Sequence, residues 1–444
     1  FWLKFDFFAV AMQVLLSLAA SVGATGDFGH VLLQEFSFPP DWTNLNQGSY
    51  GACPKVVQAA RQRFQEDMDS NPEAYFRTNF SGDGRTKFAD LVDDARQAVA
   101  RYLDVDTDTV VLVENASHGI NVVLRSMARF LRPDQAVLYF DTAYFMVSKT
   151  LRWLGGELEG TPRSSQLQTP LVQVNITDLL PEISRAGVQR MTQAALKANP
   201  SVGMCVFSHI TSTPGLILPI KELIQDCHEA GAVVLVDGAH VPGQIPVNLT
   251  DLDADFYVGN GHKWLFSPKG SAFTYVHPRV QKFVYPSVID GGPDPTAFTQ
   301  EFMWQGTFDY SAYIALPDAL AWRARLGEER IMAYMKEVAE QGGQHLAARF
   351  NTTLMPSNPT ERHAMQGALV NVRLPCGLGG EPACPEDLAP RIVRDARTFV
   401  PVGEYAGKGR GMWARLSASV YNEVSDFQHY GEAVERVLQQ QVVV

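Results

Sequence analysis

The sequence contains little of what several functional classes require. It has only five cysteines among 444 residues, too few and odd in number for a disulfide scaffold. Its formal net charge is −11 and it has no run of lysine or arginine, which disfavours a nucleic-acid partner. It has no Cys-x-x-Cys pair, no zinc-like histidine cluster and no Gly-x-Ser-x-Gly motif. We therefore expect neither a metal site nor a serine hydrolase, and the composition is that of an ordinary globular enzyme.

The N-terminal 24 residues resemble a secretory leader, with an apolar stretch at 7–20 followed by small residues. Asp6 is unusual in such a leader, and the stretch is short for a membrane span, so no stable membrane insertion is expected. Localisation stays open: a cytoplasmic or organellar location is favoured, with a secretory leader at residues 1–24 as the alternative. Residues 1–40 are assigned to a leader or N-terminal arm, extended over 26–41. Cys376 and Cys384 flank a Gly-rich loop and could pair in an oxidising compartment, although free thiols are favoured.

From about residue 109 to 276, short apolar and β-branched runs alternate with stretches of helical periodicity. This alternation predicts βαβ units and a mainly parallel sheet, with ligands beyond the carboxyl ends of the strands. After residue 309 the pattern changes to a long helix over 312–350 and then a smaller α+β region. We predict a large ligand-binding domain over 41–310, and an interdomain helix with a small C-terminal domain over 311–444.

One lysine stands where a ligand site is expected. Lys263 follows the apolar run 256–258 and a Gly-Asn-Gly turn, with Trp264 and Phe266 beside it. Burial disfavours the charged form of an amine, and a neutral amine can form a Schiff base with a carbonyl cofactor. The alternative is a lysine whose stem lies on apolar surface with its head in water.

Other strand ends carry complementary groups. Ser117 lies at a strand-to-helix turn suited to a phosphate, or is simply an N-cap residue. Asp237 ends an apolar strand and either needs a cationic partner, such as a pyridinium nitrogen, or caps the next turn. His209 ends another strand, and Arg415 inside an apolar strand suits a carboxylate or an internal salt bridge. Together with Lys263, this set predicts a pyridoxal 5′-phosphate (PLP) enzyme acting on an amino acid.

Five motifs, which span about residues 40–440, carry a family resemblance. They are Asn46-Gln-Gly-Ser-Tyr-Gly-Ala-Cys-Pro54, Asn115-Ala-Ser117, Val236-Asp-Gly-Ala-His-Val-Pro-Gly243, Asn260-Gly-His-Lys-Trp264 and Trp304-Gln-Gly-Thr-Phe-Asp-Tyr310. They resemble the class V aminotransferase superfamily, in particular isopenicillin N epimerase-like and cysteine desulfhydrase-like members. The resemblance implies an α/β fold, the PLP-dependent transferase fold type I.

The resemblance also implies roles around the cofactor ring. Lys263 would hold PLP as a Schiff base and shuttle protons at the substrate Cα. Asp237 would pair with the pyridinium nitrogen, and His240 would lie near the phenolic oxygen. Tyr144 would stack on the ring.

Phosphate binding is implied for Ala116, Ser117 and His262, with Thr307 contributed by a second subunit of a homodimer with shared active sites. The family often has Thr at the position of Ser117. It often has Arg at the position of Phe308, which puts that local contact in doubt.

On the substrate side, the resemblance places His209 near the cofactor or substrate as a further catalytic residue. It assigns the carboxylate of an amino-acid substrate to Arg415, and it lets Asn46 and Tyr50 line the substrate side.

The reaction itself is less determined. The Ser-Ala-Cys-Ser loop of cysteine desulfurases is absent, so a persulfide-forming cysteine is not expected. We rank C–S β-elimination on a cysteine-like substrate first, with epimerisation and transamination as alternatives. From another class, an inactive PLP-fold binding subunit is disfavoured because Lys263, Asp237 and Arg415 are intact.

Overall fold

A computed structural model describes residues 27–77, 86–157, 168–289 and 297–440. The predicted leader therefore lies outside the described residues. No helix in the described ranges is long and apolar enough to cross a membrane.

Strands and helices alternate through the first two thirds of the described chain. The strands are β1 Val110–Val113, β2 Ala136–Phe140, β3 Leu171–Val174, β4 Val202–Ser208, β5 Val233–Asp237, β6 Phe256–Asn260, β7 Ala272–Val276, β8 Leu354–Met355, β9 Leu369–Arg373, β10 Val402–Gly403 and β11 Trp413–Ser417. The helices are α1 Gln47–Tyr50, α2 Lys55–Ser70, α3 Pro72–Phe76, α4 Lys87–Leu103, α5 Ala116–Met127, α6 Phe145–Leu154, α7 Arg185–Ala198, α8 Ile220–Glu229, α9 Leu249–Leu252, α10 Phe298–Glu301, α11 Ser311–Ile314, α12 Leu316–Leu326, α13 Glu328–Phe350, α14 Pro359–Met365, α15 Leu388–Ala396 and α16 Val424–Gln439. Short 3-10 helices cover His30–Glu35, Thr107–Thr109, Ile176–Leu179 and Gln281–Phe283.

The larger sheet has seven strands in the order β1-β7-β6-β5-β4-β2-β3. Pairs among β2 to β6 are parallel, whereas β7 runs antiparallel to both β6 and β1. Strands β4 and β6 are buried along their whole length, as expected of a sheet covered on both faces. The carboxyl ends of β4, β5 and β6 are adjacent, because Ser208 pairs with Asp237 and Asp237 with Val258. The mainly parallel sheet is thus confirmed, and it brings the strand-end motifs together.

The smaller sheet is antiparallel, in the order β10-β11-β9-β8, and α13 and α16 pack against each other beside it. Its core also takes in Leu45 from near the N-terminus. Arg415 lies in the middle of β11, paired with Asn371 of β9. The domain boundary at residues 310 and 311 stays a prediction.

Three local expectations differ from the structure. The extended arm at 26–41 is wrong in part, because a 3-10 helix occupies His30–Glu35. The single helix over 312–350 is wrong, because Gly327 has φ 90° and ψ 115° and separates α12 from α13, while Ala315 separates α11 from α12. Cys376 and Cys384 form a disulfide, although free thiols were favoured.

Candidate active site

The backbone around Lys263 is held from the N-terminal segment. The side chain of Gln47 is fully buried, and its Nε2 donates a hydrogen bond of 2.7 Å to the carbonyl oxygen of Lys263. Gly51 has φ +69°, and a Cβ there would lie 1.7 Å from the carbonyl oxygen of His262. Only glycine allows this close approach with that backbone conformation. The glycine-containing motif at 46–54 thus packs directly on the lysine turn.

The amine of Lys263 is buried near charged groups of both signs. Its Nζ is 3.0 Å from Nε2 of His240. Burial lowers the pKa of Lys263 from 10.5 to about 7, against the opposing effect of the Asp237 carboxylate, while the Arg415 cation lowers it slightly further. A large fraction of the amine is therefore neutral, and nucleophilic, near pH 7.

Asp237 is a buried carboxylate at the end of β5. Its Oδ1 accepts a hydrogen bond of 3.0 Å from the backbone N–H of Ala239, and burial raises its pKa. No basic side chain of the described residues forms an ion pair with it. A buried carboxylate without a cation is costly, so this site suits a ligand that brings a positively charged nitrogen.

The N-terminus of α5 is aligned by two side chains. Asn115 caps the helix by accepting a 2.9 Å hydrogen bond from the N–H of His118, and Asn260 accepts one of 2.9 Å from the N–H of Ala116. Nδ1 of His262, also nearby, is buried and has no hydrogen-bond partner among the described residues. Burial lowers the pKa of His262 to about 4, which keeps its ring neutral. A helix N-terminus, the Ser117 hydroxyl and an unsatisfied imidazole nitrogen together fit a phosphate group.

Two adjoining cavities contain most of the predicted residues. The first, which we call the Asp237 cavity, has a volume of about 340 Å³ and is lined by Ala116, Ser117, Tyr144, Asp237, His240, His262 and Lys263. Its size and the unpaired groups described above fit PLP. The second, the Arg415 cavity, measures about 740 Å³. Both are lined by Ser49, Tyr50, Tyr144, Ser212 and Lys263, so they meet at the lysine.

Arg415 is almost fully buried, yet its partners are neutral. It donates hydrogen bonds to the carbonyl oxygen of Ser212 at 2.7 Å, to Oδ1 of Asn46 at 2.7 Å and to Oγ of Ser49 at 3.0 Å. Its Nε has no partner among the described residues, and burial lowers its pKa to about 10. No carboxylate in the described ranges forms an ion pair with it, so the internal salt bridge considered from the sequence is not found. Such an arginine is ready to receive an external carboxylate.

Three predicted residues lie outside the lining of both cavities. His209 is buried behind Asp237, with Nδ1 3.1 Å from the hydroxyl of Tyr257 and its backbone N–H on the carbonyl of Asp237. Asn46 orients Arg415 instead of facing the cavity. Thr307 is exposed, and its assignment to a second subunit stays a prediction.

The sequence interpretation gave no role to several residues that the structure brings to the site. These are Gln47, Ser49, Asn260 and Lys269. Gln47 and Asn260 were inside motifs already singled out, but nothing in their spacing shows that they bond to backbone more than 140 residues away in the chain. Lys269 lines the Asp237 cavity, and its Nζ donates to the carbonyl of Gly51 at 3.1 Å.

Comparisons with known proteins place these observations in a family. The family model described as Aminotransferase class-V matches residues 171–373, and the one described as Aminotransferase class I and II matches residues 40–246. The putative L-cysteine desulfhydrase 1 of Oryza sativa subsp. japonica is 30% identical, over 89% of this chain and 83% of that protein. The isopenicillin N epimerase of Streptomyces clavuligerus is 28% identical, over 89% of this chain and 95% of that protein.

The fold also has solved counterparts. The apo structure of cysteine desulfurase from Thermococcus onnurineus NA1 superposes with a TM-score of 0.73 and 18% sequence identity, covering 94% of this chain and all of that one. At this level of identity the similarity establishes the fold alone. It confirms the predicted fold class.

Proposed function

Because the chain belongs to the class V aminotransferase family of PLP-dependent enzymes, we propose that it cleaves the C–S bond of a cysteine-like amino acid by β-elimination. One observation carries most weight: the buried amine of Lys263, with a pKa of about 7, lies where the Asp237 and Arg415 cavities meet. The similarity to a putative cysteine desulfhydrase supports cysteine as the substrate class.

The proposed division of labour follows the two cavities. In the Asp237 cavity, Lys263 would hold PLP covalently, Asp237 would face its ring nitrogen and Tyr144 would cover its ring. The helix N-terminus with Ser117 and His262 would take the phosphate, with His240 on the side of the phenolic oxygen. Bound PLP supplies an electron sink that acidifies the Cα–H of an amino acid.

The chain's own groups would then control binding and protons. In the Arg415 cavity, Arg415 would hold the substrate α-carboxylate in a fixed orientation, which directs the Cα–H toward Lys263. The neutral amine of Lys263 can accept a proton near pH 7 because burial disfavours its charged form. The backbone N–H of His209 donates to the backbone carbonyl of Asp237. We therefore propose that His209 positions Asp237, in place of the direct catalytic role predicted from the sequence.

Product analysis with L-cysteine tests this proposal. We expect sulfide and pyruvate in equal amounts, and neither from Lys263→Ala. The control is Lys197→Ala, which changes an exposed lysine at the end of α7. Exchange of the α-proton with deuterated water without sulfide release would reject β-elimination.

Epimerisation is the second candidate, supported by the similarity to an isopenicillin N epimerase. It requires a second proton-transfer group on the face of Cα opposite Lys263. Tyr50 and Tyr144, whose hydroxyls can transfer a proton, both line the region where the cavities meet. Loss of optical purity in recovered amino acid, abolished by Tyr50→Phe or Tyr144→Phe, would favour this candidate.

We also propose a homodimer in which Thr307 completes the phosphate site of the partner. Its exposure, outside the cavities of its own chain, supports this. Mixed dimers of Lys263→Ala and Thr307→Ala contain one intact site if the sites are shared. Regained activity on mixing is the expected result, and its absence would contradict sharing.

A further inference from the structure

The Arg415 cavity is larger than a cysteine substrate needs. Its volume of about 740 Å³ falls in the range of pockets that hold drug-sized ligands, whereas cysteine is among the smallest amino acids. Tyr50, Phe145 and Pro401 provide apolar and aromatic lining beyond the lysine. The space suits a substrate that extends away from Cα.

The lining is also strongly cationic. Besides Arg415, it contains Lys149 and Arg152, while its acidic residue is Asp141. The Asp141 carboxylate is already engaged by the hydroxyl and backbone N–H of Thr177. The whole chain has a net charge of −11, so an excess of positive charge around one cavity is the opposite of what its overall composition predicts.

Lys149 and Arg152 form a pair with no carboxylate counter-ion among the described residues. They stand three residues apart on α6 and therefore share one face of the helix. Both are exposed, and no described carboxylate pairs with either. Within the described part of the chain, Arg152 donates a hydrogen bond only to the backbone carbonyl of Glu157, at 3.3 Å.

We propose that the substrate is an S-substituted cysteine whose sulfur substituent carries a second negatively charged group. The α-carboxylate would bind Arg415, and the distal anion would bind Lys149 and Arg152. This inference rests on the proposed C–S cleavage. Overall, the Cα–H and Cβ–S bonds break, water is consumed, and the products are an anionic thiol compound, pyruvate and ammonium, with no oxidant or reductant required.

A pair of isosteric substrates tests the distal anion. S-(2-carboxyethyl)-L-cysteine and its amide, S-(2-carbamoylethyl)-L-cysteine, differ only in that charge. We expect kcat/KM to be about five- to thirtyfold higher for the acid, since each of two exposed ion pairs favours the charged compound by roughly two- to fivefold. The preference should shrink in 1 M salt, where the Debye length is about 3 Å.

The matched variants assign the effect to the helix. Lys149→Gln/Arg152→Gln should lower kcat/KM for the acid to the level of the amide and leave the amide unchanged. Arg391→Gln/Arg394→Gln, with the same spacing on α15, is the control and should retain the preference. Equal kcat/KM for the two compounds in the wild type, or equal losses for both in the double variant, would overturn the proposal.

Direct binding separates this inference from the proposed function. Rapid mixing of the holoenzyme with each compound measures its dissociation constant from the concentration dependence of the first absorbance change, before turnover. Tighter binding of the acid with no thiol or pyruvate released would reject C–S cleavage but support the anion site. Equal binding would reject the anion site even if both compounds were cleaved.

Discussion

Replacement of Arg415 by methionine should affect substrate binding far more than stability. Lowering the pKa from 12.5 to about 10 means that burial of this cation costs roughly 3 kcal/mol in the chain without substrate. Its hydrogen bonds to Ser212, Asn46 and Ser49 each stabilise the folded chain by about 1 kcal/mol. These contributions nearly cancel, so Arg415→Met should change the free energy of unfolding of the apo chain by no more than about 1–2 kcal/mol.

The substrate effect is expected to be much larger. A carboxylate held by two charge-assisted hydrogen bonds gains at least about 3 kcal/mol, which corresponds to roughly a 100-fold loss of kcat/KM in Arg415→Met. The assay is steady-state kinetics with L-cysteine, together with denaturant unfolding of the apo chain.

Arg323→Met is the matched control. Arg323 is equally buried but pairs with Glu328 at 2.7 Å and donates to the carbonyls of Gly243 and Trp264. Its loss should destabilise the chain by at least about 3 kcal/mol, because a carboxylate and two carbonyls lose their partner. Two results together would refute the reasoning. Arg415→Met would lose as much free energy of unfolding as Arg323→Met, and its kcat/KM would stay within a fewfold of the wild type.

Two further predictions concern Lys263. Because only the neutral amine attacks an aldehyde, PLP uptake by the apo chain should become roughly tenfold faster from pH 6 to pH 8, with a midpoint near the pKa of about 7; a flat stopped-flow profile would contradict this. The Asp237 carboxylate raises that pKa, so Asp237→Asn should move the midpoint to lower pH, and an upward shift would show that the sign is wrong. A third prediction concerns Gln47, because Gln47→Leu removes hydrogen bonds to Lys263, Ala52 and Tyr421. Thermal unfolding should show a loss of about 2–4 kcal/mol of stability. An unchanged Tm would mean that these hydrogen bonds do not stabilise the lysine turn.

Strand ends were the most predictable part of the site. Apolar runs such as β5 read clearly in sequence, and parallel strands bring their carboxyl ends to one edge. The sequence alone therefore predicts that Lys263 and Asp237 lie near each other. The antiparallel direction of β7 could not, because a short β-branched run looks the same in either direction.

Side-chain orientation at the site was less predictable. His209 follows a buried strand as Asp237 does, yet its ring turns to Tyr257 and away from the cavities. Asn46 was expected to face substrate but is used to hold Arg415. In both cases a distant residue supplies the deciding hydrogen bond, and sequence spacing carries no information about such partners.

Borohydride reduction of the holoenzyme followed by peptide mapping tests the central claim most directly. Reduction makes the bond between PLP and its lysine permanent, so the modified residue can be identified by mass. Two lysines, Lys263 and Lys269, line the Asp237 cavity. We predict that the label lies on Lys263, whose pKa is lowered by burial, and that Lys263→Ala takes up none. A label on Lys269, or on neither lysine, would contradict the assignment of the site.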